Sequence, residues 1–168
     1  SLNLNTSIVS EDLTTGVTLF GMYRDRDTYD ANGDGFSEIT KLTNHSFGTK
    51  AFYRPNDNSK IGLDLTAIKE YRRGGDRVDL APQFTDITEE LDHNTFFAGA
   101  DYEVYNDERT TNFTAYASIQ HTDRVSYYGG LGGGRTAADS VAANNAFGNT
   151  KDLALVSGAK FSYTFAND

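Results

Sequence analysis

Cysteine is absent from the sequence, which excludes a disulfide framework, a thiolate metal site and a cysteine nucleophile together. Tryptophan is missing as well, methionine occurs once and proline twice. No stretch approaches the run of about 18 apolar residues that a membrane-spanning helix requires, and no long helical periodicity is present. The opening Ser1-Leu2-Asn3-Leu4 lacks the basic-then-apolar character of a signal peptide. Positive charge is scarce: 15 Lys and Arg stand against 24 Asp and Glu, a formal net charge of -9. Nucleic-acid binding depends on clustered Lys and Arg, so nucleic acid is not an expected partner. Cations are better matched to this chain.

What the 168 residues do contain is 10 Tyr, 11 Phe and 16 Gly within a chain only 38% hydrophobic. Aromatic, glycine and Thr/Ser richness of this kind marks strand proteins with polar loops, so the fold class is all-β. The clearest pattern runs from Asn94 to Gln120. Phe96, Ala98, Ala100, Tyr102 and Val104 alternate with polar residues that include Asp101 and Glu103, a period of two. After the polar turn Asn106-Asp107-Glu108-Arg109, Phe113, Ala115, Ala117 and Ile119 alternate with Asn112, Thr114, Ser118 and Gln120. Pairing Tyr105 with Thr110 puts every apolar residue of this hairpin on one surface, and it sets His121 against Asn94, next to His93.

The same reading extends to the rest of the chain. It predicts strands near residues 1–9, 13–24, 44–55, 60–72, 94–105, 110–121 and 151–165, with Ile8 opposite Leu13 in the first hairpin. Short turns join strands at one end. At the other end the alternation lapses over 25–42, 73–93 and 122–149, which read as loops far longer than the usual connection of about 4–6 residues. Outer-membrane barrels share this asymmetry, with an apolar outward face, a polar lumen and aromatic girdles. Tyr53, Tyr102, Phe113, Phe161, Tyr163 and Phe165 fall near the short-turn ends, and Tyr23, Phe47, Tyr71 and Phe96 near the long-loop ends. Lys50, Asp64, Asp101 and Lys160 fall on the opposite face. The expected architecture is therefore an antiparallel up-and-down transmembrane β-barrel segment of about seven strands. A soluble sandwich or lipocalin-like barrel also alternates, and Phe20, Phe52, Phe97 and Tyr116 on the polar face are its best support.

Two segments carry a more specific likeness. The run from Gly21 through Tyr23-Arg24-Asp25-Arg26-Asp27 to Asp30-Ala31-Asn32-Gly33-Asp34-Gly35-Phe36-Ser37-Glu38, followed by Phe47-Gly48-Thr49-Lys50-Ala51-Phe52-Tyr53-Arg54-Pro55, resembles the barrel of TonB-dependent outer-membrane receptors of the Bacteroidetes type, those for cobalamin and ferric siderophores. The resemblance implies a bacterial outer-membrane location and lipid or lipopolysaccharide around the barrel. It also implies a small metal-chelate ligand captured by the outer loops. Such receptors have about 22 strands and an internal plug, and neither the plug nor a TonB-contacting segment is visible here. Seven strands, and an ending at Phe165-Ala166-Asn167-Asp168, read as a fragment. The remainder of the barrel, the plug and, through them, TonB are the implied partners. The alternatives are a small complete outer-membrane barrel, porin-like or an adhesin, and a soluble calcium-binding β-domain.

Among candidate sites, Asp30, Asn32 and Asp34 match the first half of a calcium loop, with Phe36 at the seventh position and Glu38 at the ninth. The twelfth position is Lys41, where a bidentate Glu is expected. In the receptors that the chain resembles, calcium orders outer loops. His93 with His121, and His45, read as exposed rim histidines or as part of a metal or haem site without a third ligand. The run Tyr127 to Arg135, with five glycines, lacks the Lys-Ser/Thr of a phosphate loop and reads as a mobile outer loop that touches a ligand. Asp76, Asp79, Asp86, Glu89, Glu90 and Asp92 form an acidic segment suited to solvent, or to divalent cations that bridge lipopolysaccharide. No nucleophile–base–acid set is evident, so an enzyme is not expected.

Overall fold

A computed structural model describes residues 1–165; the last three residues of the expected fragment ending, 166–168, lie outside them. Seven strands form one sheet in sequence order, β1 (Leu2–Val9), β2 (Thr15–Arg26), β3 (Phe36–Asn56), β4 (Ser59–Asp76), β5 (Thr88–Tyr105), β6 (Thr111–Gly129) and β7 (Phe147–Tyr163). Every neighbouring pair is antiparallel. The fold is thus an all-β, up-and-down antiparallel sheet whose two edges, β1 and β7, are not joined to each other.

The strands are longer than the sequence pattern suggests. β3 begins at Phe36 rather than near residue 44, β4 runs to Asp76, β5 begins at Thr88, β6 runs to Gly129, and β7 begins at Phe147. Much of what reads as long loops is therefore ladder. The true connections are 27–35, 77–87 and 130–146; the second contains a 3-10 turn at Pro82–Phe84 and the third a helix, α1 (Ala137–Asn144). Hydrophobic alternation is visible only where one face must be apolar, whereas backbone pairing continues beyond it without that signal. Helix α1 opens with a capping box, in which Thr136 and Asp139 each bond the other's backbone N–H.

Register also differs from expectation. Tyr105 pairs with Asn112, not Thr110, and Ile8 with Val17, not Leu13. Both shifts are even, so every side chain stays on its expected face. Continuous rows cross the sheet as a result. Ile8, Val17, Ala51, Leu63, Ala100 and Ala117 form one, and Thr6, Leu19, Thr49, Leu65, Ala98, Ile119 and Leu155 the next. The last apolar row is Leu4, Gly21, Phe47, Ala67, Phe96, His121 and Leu153. Two residues further on the same face turns polar, with Tyr23, His45, Lys69, Asn94, Asp123 and Lys151 in register. Tyr71 lies one row beyond that, bonded to Glu90, and so is not part of an aromatic girdle with Phe47 and Phe96.

The opposite face is polar, with Lys50 Nζ 3.3 Å from Asp64 across β3 and β4. Glu70 gathers Asn44 at 2.8 Å and Arg72 at 3.0 Å on the same face. The large groups on it are seated on glycines. Phe52 lies over Gly16, Phe20 over Gly48, Tyr116 over Gly158 and Asp101 over Gly62, each pair directly opposite in the ladder. Phe97 lies against Gly99 of its own strand. The aromatic residues that favour a soluble barrel in the sequence thus lie flat in gaps of a polar surface rather than stacking into a core.

At the short-turn end the hairpins are tied to one another. Asn58 donates to Asp107 at 2.6 Å, the Arg109 guanidinium to the Asp57 carbonyl at 3.0 Å, and the Arg54 N–H to the Thr14 carbonyl at 2.7 Å. Within the turns, Asp12 accepts from Ser10 and Thr14, and Asn56 from Asn58 and Ser59.

Gly16→Ala would drive a methyl group into the Phe52 ring. The substitution is expected to destabilise the sheet by about 1–3 kcal/mol, measured by denaturant unfolding, and Phe52→Ala should recover most of that loss. Equal costs with and without the ring would show that the glycine does not serve the aromatic.

Candidate functional site

The buried residues cluster at the long-loop end. Thr85, Tyr127, Ala143, Arg73 and Thr88 are all nearly inaccessible, while apolar side chains elsewhere in the sheet are exposed. Arg73 organises this cluster. Its guanidinium reaches Glu90 at 2.9 Å and the Leu80 carbonyl at 2.9 Å, so it ties the 77–87 connection down onto β4 and β5. Glu90 also accepts from the Tyr71 hydroxyl at 3.1 Å.

A second network joins the two longer connections. The Asp76 carboxylate accepts the N–H groups of Asp86 and Ile87 at 2.8–3.1 Å and pairs with Arg77 at 2.8 Å. Asp86 takes Arg77 at 2.9 Å, Arg135 at 2.7 Å and the Gly133 N–H at 3.0 Å. The glycine run is folded back by these contacts: the Leu131 N–H donates to the Thr85 carbonyl at 2.7 Å and the Gly132 N–H to the Asp86 carbonyl at 2.9 Å. Gly130 has a φ of 145° and rests against the Asp86 backbone, where a Cβ would overlap.

Between these connections and the strand ends lies a cavity of about 810 Å³. Phe36, Ile87 and Tyr128 supply its apolar walls, Gly74 and Gly129 let the backbone form its floor, and Glu89 and Asp86 are its acids. Gly74, Glu89 and Tyr128 share one row on the polar face. A cavity of this size, mostly apolar with a few polar groups, suits a small-molecule ligand.

The structure separates several residues that the sequence places together. His93 pairs with Arg124 on the polar face, 4.0 Å from Glu70, whereas His121 pairs with Phe96 on the apolar face, so the two histidines lie on opposite sides of the sheet. His45 stacks near Tyr23, with ring centroids 5.0 Å apart. Among the described residues no three His, Asp or Glu side chains are grouped as metal ligands. Of the acidic residues, Asp76, Glu89, Glu90 and Asp92 lie in strands while Asp79 and Asp86 lie in the 77–87 connection, and Asp76, Asp86 and Glu90 are already paired with Arg77, Arg135 and Arg73. The cavity uses the tyrosine–glycine run, through Tyr128, Gly129, Gly130 and Gly132, and two of the acidic residues singled out in the sequence, Asp86 and Glu89. Ile87 and Gly74 carry no pattern of their own in the sequence, and Phe36 stands out there only as the seventh position of the calcium-loop pattern.

In the Asp30 loop, the Asp30 carboxylate accepts the Gly33 and Gly35 N–H groups at 2.7 and 2.8 Å. Asn32 accepts from Asp34 at 3.0 Å, Asp34 from Phe36 at 2.8 Å, and Glu38 from Ala31 at 2.7 Å. These bonds close the turn and hold the Asp30 carboxyl below the usual carboxylate range, the Gly35 N–H contributing most. Phe36 begins β3, and Lys41 pairs with Arg73 in the ladder, so the second half of the loop leads away as strand. Only the first half of the calcium-loop pattern therefore lies in the turn, and among the described residues its carboxylates are not grouped as metal ligands. Compared with models of known families, with curated proteins and with solved structures, the chain matches none.

The Asp76–Asp86 network carries a pH dependence. The Arg135 hydrogen bond holds the Asp86 carboxyl below its ordinary value of 3.8. For Asp76 burial alone raises the value, but the N–H groups of Ile87 and Asp86, with Arg77, outweigh it and the carboxyl is lowered. Depressed carboxyls contribute order that is complete above the ordinary value and is lost as pH falls through the depressed one. Amide-exchange protection of Gly132 and Gly133, corrected for intrinsic rates, should stay level down to about pH 4 and collapse below it. Asp86→Asn should flatten that dependence. A profile unchanged by Asp86→Asn would remove the carboxylate from the account.

Proposed function

We propose that this chain forms part of the barrel of a bacterial outer-membrane receptor of the TonB-dependent type, with its apolar face toward lipid and its polar face toward the lumen. The observation that carries the reading is the extent of exposed apolar surface on one face. Leu4, Ile8, Phe47, Tyr53, Leu63, Phe96 and Leu155 are all exposed there, among many others, and nothing in the described residues covers them. Soluble monomers rarely expose contiguous apolar patches larger than a few hundred Å². From Phe113 to His121 the apolar rows extend about 27 Å along the strand. At a tilt of about 40° that is about 20 Å along the membrane normal, close to the band of about 25 Å in outer-membrane barrels once the Tyr163 row is added. Seven strands leave β1 and β7 running the same way, so an antiparallel closure takes an odd number of further strands. The remainder of the barrel, a plug and TonB contacts belong to those further parts.

In this reading the cavity at Phe36, Ile87 and Tyr128 faces the outside and takes a small metal-chelate nutrient of the cobalamin or ferric-siderophore class. The support is its mostly apolar lining at the loop end, where such ligands are captured. Folding in detergent but not in plain buffer, followed by circular dichroism, tests the membrane part; a folded monomer in buffer alone would sink it. Compact migration of the unheated chain on a gel would favour the alternative of a small complete barrel. Quenching of tyrosine fluorescence by a ferric chelate, weakened several-fold in Tyr128→Ala, tests the ligand part; equal quenching in both proteins argues against this cavity.

Calcium at Asp30, Asn32, Asp34, Phe36 and Glu38 is the cation binding that this reading retains, and the loop sequence is its support. It is also the feature that favours the alternative of a soluble calcium-binding β-domain. Calcium is expected to slow proteolysis between Asp25 and Leu42. Identical cleavage in calcium and in chelator removes the claim.

A further inference from the structure

The apolar face ends in a trough that neither the strand pairing nor the loop-end cavity uses. In its last apolar row Ala67 lies between Phe47 and Phe96, and a methyl group between two rings leaves a channel along β4. One row further, about 7 Å along the strand, Lys69 stands between His45 and Asn94. These side chains, with His121 beside Phe96, line a cavity of about 740 Å³. Phe47, Ala67, Phe96 and Lys69 are all exposed. The acid at its margin, Asp123, has Lys151 Nζ at 3.6 Å. Lys69 has no ion-pair partner among the described residues, so its charge is the one left over in the trough.

We infer that this trough binds a phosphorylated membrane lipid, its phosphate against Lys69 and an acyl chain along Phe47, Ala67 and Phe96. The inference rests on the membrane reading above, which puts the apolar rows in hydrocarbon and Lys69 at the interface. Each half of the trough calls for a different chemistry. Free phosphate would use the ammonium and leave the channel empty, and a neutral lipid would fill the channel and leave the ammonium unmatched. A lipid whose phosphate sits directly above its chains uses both, and an ammonium is a well-suited point-charge partner for phosphate. The spacing agrees: the cation stands a single row beyond the last apolar one, where a phosphate sits relative to hydrocarbon.

The test uses the whole chain in phosphatidylcholine bilayers, with the preference for brominated phosphatidic acid over brominated phosphatidylcholine read by tyrosine quenching. Lys69→Gln should lower that preference about five-fold, while Lys151→Gln, which removes the same charge, should leave it within about two-fold. Ala67→Leu fills the channel and should also weaken phosphatidic acid. Inorganic phosphate should not displace the lipid. Equal losses in the two lysine variants would mean diffuse surface charge and overturn the site. So would displacement by inorganic phosphate, or an unchanged preference in Ala67→Leu. If the chain enters the bilayers and Lys69→Gln behaves as the parent, the lipid site alone fails. If it does not enter them, the membrane reading fails and the site with it.

Discussion

One antiparallel backbone ladder holds this molecule together. Leu42, Tyr127 and Ala143 are the buried apolar residues of the described chain, too few to build a core across seven strands. The usual order of causes is therefore inverted: the ladder places the side chains, and the surroundings of the sheet decide whether they are stable there. In the membrane setting proposed above, lipid covers the broad apolar face and further strands pair the two edges, since unpaired backbone groups are costly in hydrocarbon. The extension beyond the polar row of Lys69 and Lys151 is different. It carries its own buried centre at Arg73 and Tyr127, and its connections are fixed by ion pairs and amide hydrogen bonds rather than by apolar packing.

The polar face follows from the same constraint. It would be crowded if Phe20, Phe52 and Tyr116 stood upright, but the glycine opposite each lets the ring lie down across the neighbouring strand. The apolar face solves the opposite problem with mixed sizes, Leu63 lying between Ala51 and Ala100 and Leu65 between Thr49 and Ala98. The two faces thus differ in how their volume is arranged as well as in polarity.

Strand number, order and facing were legible in the sequence because alternation survives wherever one face is apolar. The extensions at 36–43, 73–76, 88–93 and 122–129 were not, because those segments pair without an apolar face to mark them. Helix α1 has a local signal that strand alternation does not carry, the Thr136–Asp139 capping box ahead of an alanine-rich run. Of the loop-end cavity, the tyrosine–glycine run, Asp86, Glu89 and Phe36 stood out, but in three separate patterns that nothing in the sequence joins. Phe36, Ile87 and Gly74 meet through long-range pairing, and no spacing rule connects them. His93 and His121 stand on opposite faces under either register, because His121 falls opposite Asn94 in one and Phe96 in the other, and both are on the face that His93 does not share.

The offset in register itself has a general basis. Displacing one strand by two residues leaves its inward and outward sets intact, so hydrophobicity cannot choose between registers of the same parity. Bonds that close the turn do make that choice within the β5–β6 hairpin: the Asn106 N–H donates to the Thr111 carbonyl at 3.2 Å and the Thr111 N–H to the Asn106 side chain at 2.9 Å, and a two-residue displacement of about 7 Å breaks both. These bonds thus distinguish alignments that solvation alone would accept equally.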